Sequence, residues 1–337
     1  MSRTIDQRQT LYAEVTARVI AELEEGRLPW VQPWDSAACA CTMPANGMTG
    51  RRYSGINVLI LWAKVIEGGY SSQRWLTYAQ AQAAGGNVRK GEHGTTVCYA
   101  DRFTPKGEDD STGDDKREAR TIAFLKRFTV FNIDQCEGLP EALTQAPEVR
   151  PEIEILPEVT VLIEASGADV RIGGDRAYYH AIADYVAVPP VAAFHEPINW
   201  YRTALHELGH WTGHSTRWNR DQTGAFGSAS YAREELVAEM ASAFACASLS
   251  IKPTVRHADY IGSWLEVLRH DDKAIFRAAS AASKAADYLL GLPSAKPTCC
   301  RSAISMSSSR CRPRSPTLRS RTRRRSMGCC SRRRPGR

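Results

Sequence analysis

Residues 203–214 read TALHELGHWTGH. His206 and His210 stand four apart, which on a helix of 3.6 residues per turn places them one above the other on a single face, with Glu207 one step round. The pattern is H-E-x-x-H: two neutral imidazoles suited to zinc, and a glutamate placed to act as general base on water held by the ion. A third protein ligand is needed. The metzincin spacing H-E-x-x-H-x-x-G-x-x-H does not supply it, because Gly213 falls on the glycine but Thr216 stands at the final position. His214 would lie about 6 Å beyond His210 along a continuing helix, too far to share a tetrahedral ion. Downstream, EELVAE offers Glu235 and Glu239 at i and i+4. The expected division of labour gives Glu235 to the metal and Glu239 to a ligand histidine whose tautomer it fixes, with the reverse order as the alternative. Zn2+ is the expected ion, and Mn2+ or Co2+ fits the same ligands. Glu234 reads as a solvated charge at a helix start, His214, His257 and His270 as surface histidines, and Tyr201 and Trp211 as core.

Outward from this motif, nearly everything from Pro197 to Leu290 has helical spacing, including AREELVAEMASAFACASL and KAIFRAASAASKAADYLLG. Before it, DVRIGG, RAYYHA and DYVAVP read as three short strands. Strands followed by helices imply an α+β fold, with a mainly helical domain and a small sheet over residues 158–296. The Pro- and Glu-rich segment LTQAPEVRPEIEILPE marks a linker at 141–157. Residues 1–140 then form a separate α/β domain. Within it, residues 5–25 and INVLILWAKVIEGG read as helices, and a short helix at 77–84 stops at Gly85-Gly86. TTVCYADRF and AFLKRFTVFNI read as a hairpin around the acidic loop GEDDSTGDDKRE.

The net charge of +7 conceals a division, because residues 297–337 hold thirteen arginines and no acid, so the first 296 residues carry −6. That tail also holds five of the ten cysteines and has no periodicity from which to build a core. It reads as a disordered basic arm or, the favoured reading, as the out-of-frame product of a GC-rich gene. Cys39, Cys41, Cys98, Cys136 and Cys246 show no metal-binding spacing and read as reduced thiols. No apolar run approaches eighteen residues and the N-terminus lacks a signal-peptide core, so a cytoplasmic protein without membrane contact is expected.

Residues 51–102 carry seven basic and three acidic side chains, interleaved with Tyr53, Trp62, Trp75 and Tyr78. Single strands are held by cations along the backbone and by aromatic faces beneath the bases. Arg51, Arg52, Tyr53, Arg74, Trp75, Arg89, Lys90 and His93 fit that mixture, while Trp62, inside VLILWAKVI, reads as core.

The ordered motifs LPWVQPW, RRYSGINVLIL, WLTYAQAQAAGGNVRKGEHGT, RFTVFNIDQCEGLP, DYVAVPP, LHELGHWTGH and REELVAEMASAF resemble those of ArdC-type antirestriction proteins of conjugative plasmids. The resemblance runs from about residue 7 to 290. It implies an N-terminal single-stranded DNA-binding domain shared with TraC-type primases and a C-terminal zincin-like metallopeptidase domain. It further implies protection of incoming plasmid DNA during conjugation, with single-stranded and also double-stranded DNA as partners. An unidentified protein substrate, one candidate source being the host restriction machinery, is implied too. The alternative is a non-enzymatic DNA-coating protein whose metal only staples helices together.

Overall fold

The computed structural model describes residues 2–31, 34, 39–103, 122–145, 152–253 and 260–291. Helix α1 (Ser2–Glu24) leads through a loop to the two-residue strand β1 (Ala45–Asn46) and helix α2 (Ile56–Gly68). The Gly-Gly stop works as expected: Gly69, at φ 61°, closes α2 in the left-handed conformation that glycine adopts without steric cost. Strand β2 (Arg74–Leu76) precedes helix α3 (Tyr78–Ala83), whose start is fixed by a reciprocal cap between Thr77 and Gln80. Strand β3 (Asn87–Val88) then leads into the long antiparallel hairpin of β4 (Thr95–Phe103) and β5 (Ile122–Asn132), in register from Thr95 opposite Val130 to Phe103 opposite Ile122. These strands form a sheet of order β1-β2-β5-β4, and β3 pairs with β6 (Cys136–Glu137).

After the single turn α4 (Glu141–Thr144), helix α5 (Glu152–Ala165) begins inside the span expected to be linker. Val159 and Ile163, four apart, are buried, and this apolar face outweighs the helix-breaking tendency of Pro157. The three expected strands follow as β7 (Asp169–Ile172), β8 (Tyr178–His180) and β9 (Tyr185–Val188). β9 lies between a parallel β7 and an antiparallel β8. Helices α6 (Pro197–Trp211), α7 (Ala229–Ser248), α8 (Ile261–His270) and α9 (Ala274–Leu289) complete the unit. The readings of the acidic loop at 107–118, of His257 and of the arginine-rich tail at 297–337 fall outside the described residues.

The main core, with members from Leu11 to Leu289, joins both halves of the chain. Trp30 meets Trp264 edge to face at 5.3 Å, and Trp62 meets Phe244 of α7 at 5.7 Å. Trp62 is fully buried, as its apolar run requires. The expectation for Trp75 needs correcting. The alternation of β2 turns Trp75 inward, where it is 0% exposed and unable to stack on a base. Its neighbour Arg74 points the other way and donates from Nη1 to the carbonyls of Ala142 and Leu143, at 2.9 and 2.8 Å, at the end of α4.

Gly209 governs the approach of α6 to α7. A Cβ there would stand 3.3 Å from both Cα and O of Ala238, a contact against backbone that no side-chain rotation relieves. The absence of a side chain therefore sets the spacing at which residues of the two helices can share a site.

Replacing Trp75 by Ala is expected to lower stability by about 3–5 kcal/mol, the usual cost of emptying a buried tryptophan position. Chemical denaturation checks this. A folded variant of unchanged stability but weakened DNA binding would return Trp75 to the surface.

Candidate metal centre

Helix α6 starts with Pro197 in its first turn, where the missing N–H costs nothing, and buries all of Thr203–Gly209. Helix α7, started by the Ser228 side chain accepting from the Tyr231 amide, is buried on nearly every face. Such a helix is normally apolar throughout, yet Glu234, Glu235 and Glu239 are all buried in it. An ionised carboxylate out of water needs a paired cation or a metal.

The structure brings His206, His210 and Glu235 together, with one ligand atom from each lying within 4.8 Å of the others. Nε2 of His206 lies 3.5 Å from Oε2 of Glu235, and Nε2 of His210 lies 3.5 Å from its Oε1. Each ring turns its other nitrogen to a different carboxylate. Nδ1 of His206 faces Glu239 at 3.7 Å, and Nδ1 of His210 faces Glu234 at 3.4 Å. Both imidazoles therefore present Nε2 to one locus and turn Nδ1 toward a further glutamate, within hydrogen-bond distance of Glu234 at His210 and beyond it from Glu239 at His206. Oε2 of Glu235 is buried and takes no hydrogen bond among the described residues, so the cluster has an oxygen that a cation would satisfy. The donor set fits a divalent ion.

Charge in the cluster follows from the same geometry. Burial disfavours the imidazolium of His210, but the Glu234 and Glu235 carboxylates at its two nitrogens outweigh burial and hold its pKa up at about 10. Burial likewise acts to raise Glu235, and the two histidines overcome it and hold the carboxyl well below its ordinary range.

Glu234 corrects the sequence reading most sharply. It is buried, not solvated, and Arg220 grips it in two-pronged fashion, with Nε to Oε2 at 2.9 Å and Nη2 to Oε1 at 2.7 Å. Arg220 Nη2 also donates to the Gly209 carbonyl at 2.7 Å, and Gln222 Nε2 donates to the His210 carbonyl at 2.7 Å and to Glu234 at 3.0 Å. The loop after α6 thus satisfies the helix's last carbonyls and locks the carboxylate behind His210 in one step.

Glu207 lines a cleft of about 250 Å³ that also contains His206, His210, Glu235 and Tyr231. No side chain among the described residues engages its carboxylate. His214 stands apart, bonded to Thr216 at 2.8 Å and 3.7 Å from Asp184. Trp211 is core, and half-buried Tyr201 bonds Thr160 at 2.9 Å. Of the nucleic-acid candidates, Arg51, Arg52, Arg89, Lys90 and His93 are exposed, and Tyr53 packs against the core. Arg52 bonds Ser248 at 3.1 Å, and Arg89 pairs with Glu92 at 2.9 Å.

The N-terminal domain of the anti-restriction factor ArdC matches residues 9–131, and the zincin-like metallopeptidase family matches residues 157–281. The crystal structure of metal-free antirestriction protein ArdC from plasmid R388 superposes with a TM-score of 0.70 at 40% identity, over 83% of this chain and 96% of that one. The chain belongs to the ArdC antirestriction family. The Mn(II)-bound structure of the R388 protein matches with a TM-score of 0.69 at 41% identity, over 83% and 97% of the two chains. An uncharacterized protein of Sinorhizobium fredii is 39% identical over 288 residues, covering 83% of this ArdC-family chain and 91% of the relative. The DNA primase TraC of Escherichia coli is 39% identical over 296 residues, and this chain spans only 27% of its length. No helix among the described residues is long and apolar enough to cross a membrane.

Metal should stabilise this ArdC-family protein, since an ion bound only by the folded state raises stability by mass action. Adding Mn2+ or Zn2+ to chelated protein is expected to raise its melting temperature, and His206→Ala to abolish the rise. An undiminished rise in that variant would place the ion elsewhere.

Proposed function

We propose that this ArdC-family protein is a single-stranded DNA-binding antirestriction protein with a zinc-dependent peptidase site, which protects plasmid DNA entering a new host during conjugation. The observation that carries the reading is the arrangement around Glu235. Two imidazole Nε2 atoms converge on one carboxylate, each ring faces another, and Glu207, which no side chain among the described residues engages, lines the same cleft.

His206, His210 and Glu235 hold the ion, with Glu239 and Glu234 orienting the two rings. When bound, the divalent ion supplies Lewis acidity and brings the pKa of a water towards about 7. Glu207 takes the proton from that water as it attacks the peptide carbonyl and passes it to the departing amine. Tyr231 sits in the cleft with its hydroxyl 3.1 Å from that of Tyr260. Burial, the Tyr260 bond and the nearby Glu235 raise its pKa well above the ordinary phenol value, so it stays a neutral donor for a developing oxyanion. The exposed cations Arg51, Arg52, Arg89 and Lys90, together with the ArdC N-terminal match, support DNA binding by the N-terminal region.

Glu207→Gln separates this reading from a passive coat with a structural metal. The variant is expected to keep its metal and melting temperature, to lose peptide hydrolysis by about 100-fold or more, and to lose protection in a conjugation assay. Full protection by a hydrolytically dead, metal-loaded variant would favour the coat.

A further inference from the structure

A groove of about 510 Å³ lies outside the metal cleft, walled by Tyr12 of α1, Trp218 of the loop after α6, and α9. From α9 and the residue before it, Lys273, Arg277 and Lys284 line the groove at i, i+4 and i+11, all exposed. On a helix this spacing makes one cationic stripe roughly 16 Å long. Three aromatic rings stand among the cations. Tyr12 and Phe276 meet edge to face at 4.6 Å, and Trp218 is 36% exposed. Lys273 Nζ lies 5.5 Å from the centre of the Tyr12 ring, and Lys284 Nζ lies 5.7 Å from that of Trp218. Arg277 is paired with Asp271, but among the described residues Lys273 and Lys284 meet no carboxylate and no acidic side chain lines the groove.

We infer that this groove binds a short stretch of single-stranded nucleic acid, its phosphates along Lys273, Arg277 and Lys284 and its bases against Tyr12, Trp218 and Phe276. The inference rests on the single-strand binding proposed above and assigns it a second surface, outside residues 51–93. Cations alone would serve any polyanion and apolar rings alone any greasy ligand. Their alternation matches a chain that alternates phosphate with flat, stackable base. A duplex does not fit, because its bases are already stacked on one another. Arg220 also lines the groove, and it is the residue that clamps Glu234 behind His210. Arg220 thus links the groove to Glu234, which lines the metal cleft.

The test is photo-crosslinking of the full chain to an oligonucleotide carrying 5-iodo-deoxyuridine, with the attached peptides mapped by mass spectrometry. Crosslinks at Tyr12, Trp218 or Phe276 are expected. Lys273→Gln with Lys284→Gln should lower their yield at least fivefold, and so should Trp218→Ala at the two remaining rings, with melting temperatures unchanged. Replacing the oligonucleotide by one with abasic sites opposite the groove should weaken the signal similarly. Crosslinks confined to residues 51–93 or 297–337 would overturn the groove while leaving single-strand binding intact. No crosslinks anywhere would overturn both. Equal labelling by duplex, or displacement by polyglutamate as readily as by DNA, would assign the groove to another ligand and also overturn the inference.

Discussion

Three glutamates buried on one helix are the constraint around which the C-terminal half is arranged. Moving a carboxylate out of water costs several kcal/mol even after relaxation, so Glu234, Glu235 and Glu239 are tolerable only beside fixed positive charge. Arg220 supplies it for Glu234 through two hydrogen bonds. Glu235 and Glu239 face His206 and His210, whose nitrogens can hold a metal ion against Glu235. The helices must also come close enough for short side chains to meet, which is what Gly209 against Ala238 allows. The H-E-x-x-H motif, the bare glycine within it and the glutamates downstream are thus parts of one electrostatic solution.

The two family regions are coupled through their interior. Trp62, on α2 of the N-terminal region, packs on Phe244 of α7, the helix that carries the three glutamates. Trp30 packs on Trp264, whose Nε1 donates to the Ala232 carbonyl of α7 at 3.1 Å. A close-packed core transmits displacement because it has no free volume to absorb it. The N-terminal region therefore braces α7, and the shared core explains why the two regions form one unit.

Much of this was legible in the sequence because it is periodic. The helical face of His206 and His210, the pair Glu235 and Glu239, the hairpin of TTVCYADRF with AFLKRFTVFNI, and the three short strands before α6 all repeat at a period that local sequence displays. What escaped depends on contacts between distant segments. Glu234 looked solvated because its partners, Arg220 and Gln222, come from a loop of no regular pattern. Trp75 looked like a stacking residue because it follows an arginine, and only the pairing of a three-residue strand shows which of the two faces inward. Helix α5 was hidden by Pro157, although Val159 and Ile163 mark its buried face. The groove of Tyr12, Trp218 and α9 has no sequence signature, being assembled from α1, the loop after α6 and α9.

X-ray absorption at the metal edge of the loaded protein tests the central claim most directly, since it reads the ligands of the ion itself. A shell of two imidazoles with oxygen donors at about 2.0–2.2 Å is expected, losing half its imidazole scattering in His210→Ala. A shell containing sulfur, or one unaltered by that substitution, would contradict the assignment of Glu235 and the two α6 histidines as the metal-holding set.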